Sequence, residues 1–387
     1  MTIARRRRDQ KRAGARVTQL NRLPVSARIR KPPRVQHFHA MKPKCPQEIT
    51  QFSAQLTVFK RNSDITSENM EVVNIGTRRS QLAIAQVDSI VKHLQTFAPG
   101  PEYRSQVVST MADENQVKSF QDFNAKSIWT EELEKLLIEK KLDVIVHCLK
   151  DVPTTLPESC TLGIICERED PRDVVVMKTN SPHKKLQSLP AGAIVGTSSV
   201  RRKAQIMRHY PHLICEDVRG NLNTRLRKLD AEDSSYDCLI LAAAGLKRID
   251  LGYRITQYLG PEDGMLYAPG QGALALEVRE GDEKTLKLLS SLSHQTTTLA
   301  CSAEKSLLKT LEGGCSAPVG VHTDWEGDVL VLHSTVTSLD GKQMVEMSMK
   351  HEVTTISEAE SLGKDLADRM ISQGANTILE EIRAGLR

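Results

Sequence analysis

A chain of 387 residues with 39% hydrophobic and 26% charged content can bury a sizeable core and form two or three globular domains. No run of about 18 apolar residues occurs, so no helical membrane span is expected. The net charge of +5 conceals a split: residues 1–70 hold sixteen Lys and Arg against four acids, a net of +12, leaving −7 on residues 71–387. That mild acidity argues against a general nucleic-acid surface on the folded body.

Residues 1–70 read as a basic, disordered extension. Arg5 to Arg8 open it, acids are absent from Gln10 to Gln47, and Pro32-Pro33 follows with little periodicity. Three readings stay open: a mitochondrial presequence, a nuclear or nucleic-acid patch, or a stretch skipped when Met41 or Met70 is the working start. From Glu71 the signal sharpens. A short strand over 72–75 leads through a turn, Gly76-Thr77-Arg78-Arg79-Ser80, into a helix marked by Ala83, Val87, Ile90 and Leu94 and stopped by Pro99. Leu133, Leu136 and Leu137 mark another helix ahead of an apolar strand over 143–147. A strand over 193–195 passes through Gly196-Thr197-Ser198-Ser199 into a helix that ends at Pro211. Arg219-Gly220-Asn221 opens a helix carrying Leu222, Leu226 and Leu229, and 238–244 reads as a buried strand. Such alternation predicts an α/β protein with parallel sheets covered by helices. Past Ser293 the pattern changes to strands over 319–322, 329–337 and 344–349 and a helix over 357–372, a small α+β domain. No internal repeat of 20–50 residues is present.

The eight cysteines form no C-x-x-C pair and no Cys/His cluster at zinc spacing, so no metal is expected. Several lie in apolar runs, as free thiols do in a reducing compartment. A cytoplasmic protein is the expectation, or a mitochondrial one if the extension is a presequence. Nothing signals a large apolar face, and a monomer is expected.

Four features are candidates for chemistry. The apolar run Asp143 to Val146 ends in His147-Cys148-Leu149-Lys150-Asp151, with Pro153 forbidding regular continuation. That places Lys150 and Asp151 at a strand's carboxyl end, where open α/β sheets bind ligands, although Lys-Asp before a Pro is also ordinary turn composition. Arginines recur at strand-to-helix turns: Arg78 and Arg79, Arg201 and Arg202, Arg219 with Arg225, and Arg248. A convergent set of guanidinium forks suits a polyanionic ligand, and helix starts at Ser198-Ser199 and Asn221 would add backbone donors. Glu312-Gly313-Gly314-Cys315-Ser316-Ala317-Pro318 describes a tight loop exposing a thiol, which is either a covalent attachment point or a spare surface cysteine. Tyr267-Ala268-Pro269-Gly270-Gln271-Gly272 permits close backbone approach to a ligand or a domain crossing.

Taken in order, Gly76 to Ala83, Val146 to Thr154, Gly196 to Arg202, Val218 to Leu226 and Glu312 to Cys315 resemble the porphobilinogen deaminase, or hydroxymethylbilane synthase, family, from about Val72 to the C-terminus. The resemblance implies two α/β domains like the halves of type II periplasmic binding proteins, with the active site between them, and a small C-terminal α+β domain. The first domain would take 71–168 and 269–293, the second 169–268 and the third 294–387. It implies a dipyrromethane cofactor joined by a thioether to Cys315. Four porphobilinogens would be added head to tail with loss of ammonia, and hydroxymethylbilane released by hydrolysis. Asp151 matches the family's catalytic carboxylate. Arg78, Ser80, Lys150, Thr197, Ser198, Ser199, Arg201, Arg202, Arg219, Arg225, Arg248, Gln271 and Gly272 fall at positions that line cofactor and substrate. Porphobilinogen would be the small-molecule partner, with neither nucleic acid nor membrane. A non-catalytic two-lobed polycarboxylate-binding protein of the same fold is the alternative. Three departures stand out: Ala112 where Gly is usual, Cys148 where Ser is usual, and Pro269 where a small or β-branched residue is usual.

Overall fold

The computed structural model describes residues 72–108, 130–311 and 317–385. The basic extension, Ala112 and the Cys315 loop lie outside the described residues. The chain opens with strand β1 (Val72–Arg78), helix α1 (Gln81–Phe97), β2 (Glu102–Val108), α2 (Glu131–Ile138), β3 (Val144–Cys148) and β4 (Cys160–Ile165). It then enters a second series: β5 (Asp173–Met177), β6 (Ile194–Gly196), α3 (Val200–His209), β7 (Ile214–Glu216), α4 (Leu222–Asp230), β8 (Cys238–Ala242), α5 (Ala243–Lys247) and β9 (Gln257–Leu259). It returns as β10 (Leu274–Arg279), followed by α6 (Glu283–Leu289) and α7 (Gln295–Thr310). The last part is β11 (Val319–Glu326), β12 (Val329–Thr337), β13 (Met344–Glu352), α8 (Ile356–Ser372) and α9 (Ala375–Gly385).

Two five-stranded sheets share one plan. Their orders are β2-β1-β3-β10-β4 and β7-β6-β8-β5-β9. In each, three parallel strands are followed by an antiparallel strand that has just arrived from the other sheet. The sheets are therefore mixed rather than purely parallel, because β5 and β10 are exchanged between them. Strand alternation fixes the layers. Val144 and Val146 turn to the α1 side, where Val87, Ile90 and Leu94 are buried, while Ile145 turns to Leu133 and Leu137 of α2. The second sheet repeats this, with Val175 and Ile240 on the α3 side and Val174, Leu239 and Leu241 packed with α4 and α5. The third sheet, β11-β12-β13, is antiparallel and covered on one face by α7, α8 and α9.

Several boundaries differ from the sequence reading. Gly76 and Gly196 belong to strands rather than turns. A Cβ on Gly76 would lie 2.4 Å from Leu142 Cδ1, and one on Gly196 would lie 2.5 Å from Leu239 Cδ2, so both glycines serve packing. The strand expected over 238–244 stops at Ala242, and Ala243–Lys247 turn as α5. Helix α7, ahead of the third sheet, has no counterpart in the sequence reading, while the helix expected over 357–372 is present as α8 (Ile356–Ser372).

Candidate active site

Beyond β3 the backbone makes a single 3-10 turn, Leu149–Asp151. Leu149 is fully buried, and its N–H donates to the Ala273 carbonyl at 3.0 Å. A Cβ on Gly270 (φ +76°) would sit 2.8 Å from Leu149 Cγ and 3.2 Å from Lys150 N, so only glycine lets the returning segment lie against this turn. Lys305 Nζ of α7 donates to the Val152 carbonyl at 2.6 Å. Thus fixed, the turn leaves Asp151 exposed and Lys150 half-buried. Burial pushes the Lys150 ammonium toward neutrality and Arg202 adds to this, while Asp151 opposes both. Cys148, behind the turn, accepts from Gln86 Nε2 at 3.0 Å, and burial followed by the Asp151 charge raises its thiol. The departure from Ser is thus met by a side-chain amide.

The second body supplies cations. Arg225 of α4 is half-buried, with Nε donating to the Gly220 carbonyl at 2.7 Å. Burial lowers its pKa to about 10, Arg202 and Arg219 push the same way, and Asp151 pulls back. The Asp151 charge of the first body therefore reaches Arg225 of the second, and no carboxylate among the described residues forms an ion pair with Arg225. Arg248 follows α5 instead of opening a helix; its Nη2 donates to the Gly272 carbonyl at 2.6 Å. Gly272 has φ +91°, and a Cβ there would meet the Glu169 carbonyl at 2.3 Å. Arg219 is half-buried, 3.4 Å from Asp217. Arg78 ends β1, half-buried.

Arg201 and Arg202 are placed otherwise than a pair of open forks. Both are buried on Asp173: Arg201 Nη1 at 2.7 Å from Oδ2, Arg202 Nη2 and Nε at 2.7 and 3.1 Å from Oδ1. Arg202 Nη1 also donates to the Ile240 carbonyl at 3.0 Å, and Arg201 Nη1 to that of Leu266. Burial and the opposing arginine charge could not be borne without Asp173, whose carboxyl its two partners hold far below the ordinary range despite burial. The candidate hydroxyls hold the helix starts. Ser80 Oγ accepts from Ala83 N at 3.1 Å, capping α1, and Ser199 caps α3 through Arg202 N at 3.5 Å. Thr197 Oγ1 accepts from Ser199 N at 3.2 Å, and Ser198 Oγ donates to the Val218 carbonyl at 2.9 Å. Gln271 is buried against Lys150 and Asp173.

The chain is matched by two family models, "Porphobilinogen deaminase, dipyromethane cofactor binding domain" over residues 73–287 and "Porphobilinogen deaminase, C-terminal domain" over 298–372. The chain belongs to the porphobilinogen deaminase family. Relatives bearing that name include one from Neurospora crassa, 51% identical over 327 residues that make up 82% of this chain and 96% of the relative. Those of Yarrowia lipolytica (49%, covering 80% and 93%) and a Synechococcus strain (46%, covering 81% and 98%) are similar over the same extent. A porphobilinogen deaminase is a transferase of porphyrin biosynthesis, and the matched α/β region is the one that binds the dipyrromethane cofactor. The donor set suits that group. A dipyrromethane bearing acetates and propionates brings carboxylates to Arg225, which has no ion-pair partner among the described residues.

One anchor escapes a motif reading. Arg168, on the crossing between β4 and β5, makes a bidentate pair with Glu304 of α7 at 2.7 and 2.9 Å and donates Nε to the Gln271 carbonyl at 2.8 Å. Gly270 N also donates to Glu304 Oε2 at 2.7 Å. Burial alone would lower the Arg168 pKa, but Glu304 more than reverses this. A Glu within the apolar spacing Leu299, Ala300, Ala303, Leu307 was the available signal, since a buried carboxylate requires a partner. No helix among the described residues is long and apolar enough to cross a membrane.

Proposed function

We propose that this chain carries out the hydroxymethylbilane synthase reaction with Asp151 as its reacting carboxylate and the second body's arginines as carboxylate clamps. The observation that carries the proposal is an exposed strand-end carboxylate sensed by Arg225, a half-buried guanidinium short of negative charge. Porphobilinogen and its oligomers are polycarboxylates, and a hydrogen bond between charged groups contributes about 1.5–3 kcal/mol. Arg225, Arg248, Arg219 and Arg78 are the groups we assign to those carboxylates. Arg201 and Arg202, held on Asp173, give a fixed positive field beneath them. Ser80 and Ser199 accept from backbone N–H groups, which leaves each hydroxyl proton to donate, whereas Ser198 keeps lone pairs for a pyrrole N–H.

Asp151 accepts hydrogen bonds from pyrrole N–H groups, passes a proton to the departing amine and opposes the cation left on the substrate. Lys150 beside it keeps a positive charge near the incoming carboxylates. Dipyrromethane, held by Cys315, supplies the pyrrole to which the first unit is joined. The domain division that we adopt is 71–168 with 269–293, then 169–268, then 294–387; β10 lying in the first sheet supports it. A monomer in a reducing compartment, the cytoplasm or the mitochondrion if the basic extension is a presequence, accords with free thiols at Cys148, Cys160, Cys166, Cys215, Cys238 and Cys301.

Asp151→Asn tests the assignment. The variant is expected to carry the cofactor mass on Cys315, seen by intact-protein and peptide mass spectrometry, while turnover falls on the order of 10²–10³-fold. Near-normal turnover would remove Asp151 from the mechanism. Cys315→Ala is expected to show no added mass.

A further inference from the structure

The sequence points to Gln271 as a ligand-binding residue, yet its side chain is 1% exposed and both ends are engaged inside the protein. Nε2 donates to the Pro171 carbonyl at 2.6 Å and to Asp173 Oδ1 at 2.8 Å, and Oε1 accepts from Lys150 Nζ at 3.3 Å. Asp173 in turn takes Arg201 and Arg202. A continuous hydrogen-bonded path therefore runs from Lys150, next to Asp151 on the first sheet, through Gln271 on the returning segment to Asp173 on the outgoing strand. From there it reaches α3 of the second body. Both segments that cross between the sheets take part.

We propose that Gln271 and Asp173 are positioning residues for the reaction: the amide ties Lys150, and with it the Asp151 turn, to the carboxylate that fixes Arg201 and Arg202, so that reacting group and cationic wall keep one spacing. The proposal rests on Asp151 being the reacting carboxylate. A neutral amide suits the middle place because it accepts from an ammonium at one end and donates to a carboxylate at the other. Methionine, of similar length, does neither. Glutamate accepts from Lys150 but faces Asp173 with like charge.

These two replacements act on Lys150 with opposite sign. Lys150 faces Asp151, Cys148, Arg202 and Asp173; burial and Arg202 favour its neutral form, Asp151 and Asp173 its charged form. Gln271→Met removes an acceptor from the ammonium and lowers its pKa. Gln271→Glu adds a negative charge and raises it.

The experiment compares pH profiles of kcat for the cofactor-loaded wild type, Gln271→Met, Gln271→Glu and Lys150→Arg, with thermal unfolding as a check on folding. In parallel, the Lys150 Nζ resonance of the full chain is titrated by NMR before cofactor loading, a readout that needs no turnover. The expected result is an alkaline limb that disappears in Lys150→Arg, moves down in pH in Gln271→Met and up in Gln271→Glu, with kcat lower on the order of tenfold in both. The Nζ titration is expected to follow the same two directions. A limb and a resonance that stay put, or that move the same way in both variants, would overturn the proposal, as would a limb surviving in Lys150→Arg. Asp151→Asn separates the two readings. If it is inactive while the Gln271 variants behave as wild type, the positioning role fails and the catalytic assignment stands; if it is active, the assignment itself fails.

Discussion

The two α/β bodies are built to one plan and do different work. Gly76 pairs with Ile145 and Gly196 with Leu239, and the arriving antiparallel strand begins opposite Cys148 in one sheet and opposite Ala242 in the other. At that shared place the first body has Leu274 and the second Asp173. The leucine closes an apolar core next to the Asp151 turn. The aspartate gathers two buried arginines. One substitution of character at equivalent sites thus accompanies the division of labour we propose, with the assigned reacting carboxylate on one wall and a cation platform on the other. The scaffold is symmetric and the chemistry is not, because strand ends fix where side chains emerge but not what they are.

The sharpest way to break this comparison is to give the second body the first body's residue. Asp173→Leu leaves two guanidinium groups buried without their counter-charge, and removal of one partner from a buried pair costs about 3–5 kcal/mol. Urea unfolding is expected to show a loss of that size. The pH dependence has a defined sign: the folded Asp173 carboxyl is held far below its unfolded range, so its stabilisation is complete above the unfolded pKa and is lost as pH falls below it. The variant should lack that part of the acid limb. An unchanged midpoint would mean that the platform does not depend on Asp173. Smaller is the effect on stability of Arg225→Ala, which gives up one hydrogen bond to the Gly220 carbonyl along with the proposed carboxylate clamp. Loss of one charge-assisted clamp is expected to raise KM by roughly 10–100-fold while the melting temperature stays within a degree or two. An equal fall in stability would make Arg225 a structural residue and blur the contrast between the walls.

Much of this was legible in the residues, and what was missed has a common cause. The strand end at Lys150 and Asp151 and the helix starts at Ser199 and Asn221 are local, written by an apolar run, a cap and a breaker within a few positions. Arginine at turns pointed to a set of cations on the second body. It could not show that Arg201 and Arg202 face inward, because Asp173 stands 28 and 29 positions away and only the sheet brings it under them. Gln271 was visible as a polar residue between glycines; its partners lie 121 and 98 positions away. The strand exchange is not written in the residue pattern, since an antiparallel β10 carries nothing that distinguishes it from a parallel strand; the return of 269–293 to the first domain comes from the family resemblance alone. The parallel between Gly76-Thr77 and Gly196-Thr197 lies at a separation of 120 residues, far outside the range in which repeats betray themselves.

That parallel gives the smallest and cleanest test of shared architecture. Gly76→Ala and Gly196→Ala each add one methyl to a strand where the space is taken, and neither glycine has positive φ, so packing is the whole effect. Overpacking of this kind costs about 1–3 kcal/mol. The neighbours predict an order. The Gly76 methyl meets Leu142 Cδ1 at 2.4 Å and Leu133 Cδ2 at 3.2 Å, both the ends of leucine side chains with no hydrogen bond to give up. The Gly196 methyl meets Leu239 Cδ2 at 2.5 Å and also the Tyr236 ring at 3.0 Å. That ring is held by its hydroxyl, which donates to the Asp217 carbonyl at 2.7 Å. It moves only by giving up that bond or by displacing β7. Gly196→Ala is therefore expected to lose more stability than Gly76→Ala in matched urea titrations. The reverse order would show that the first sheet, which carries the Asp151 turn, is the more tightly packed of the two.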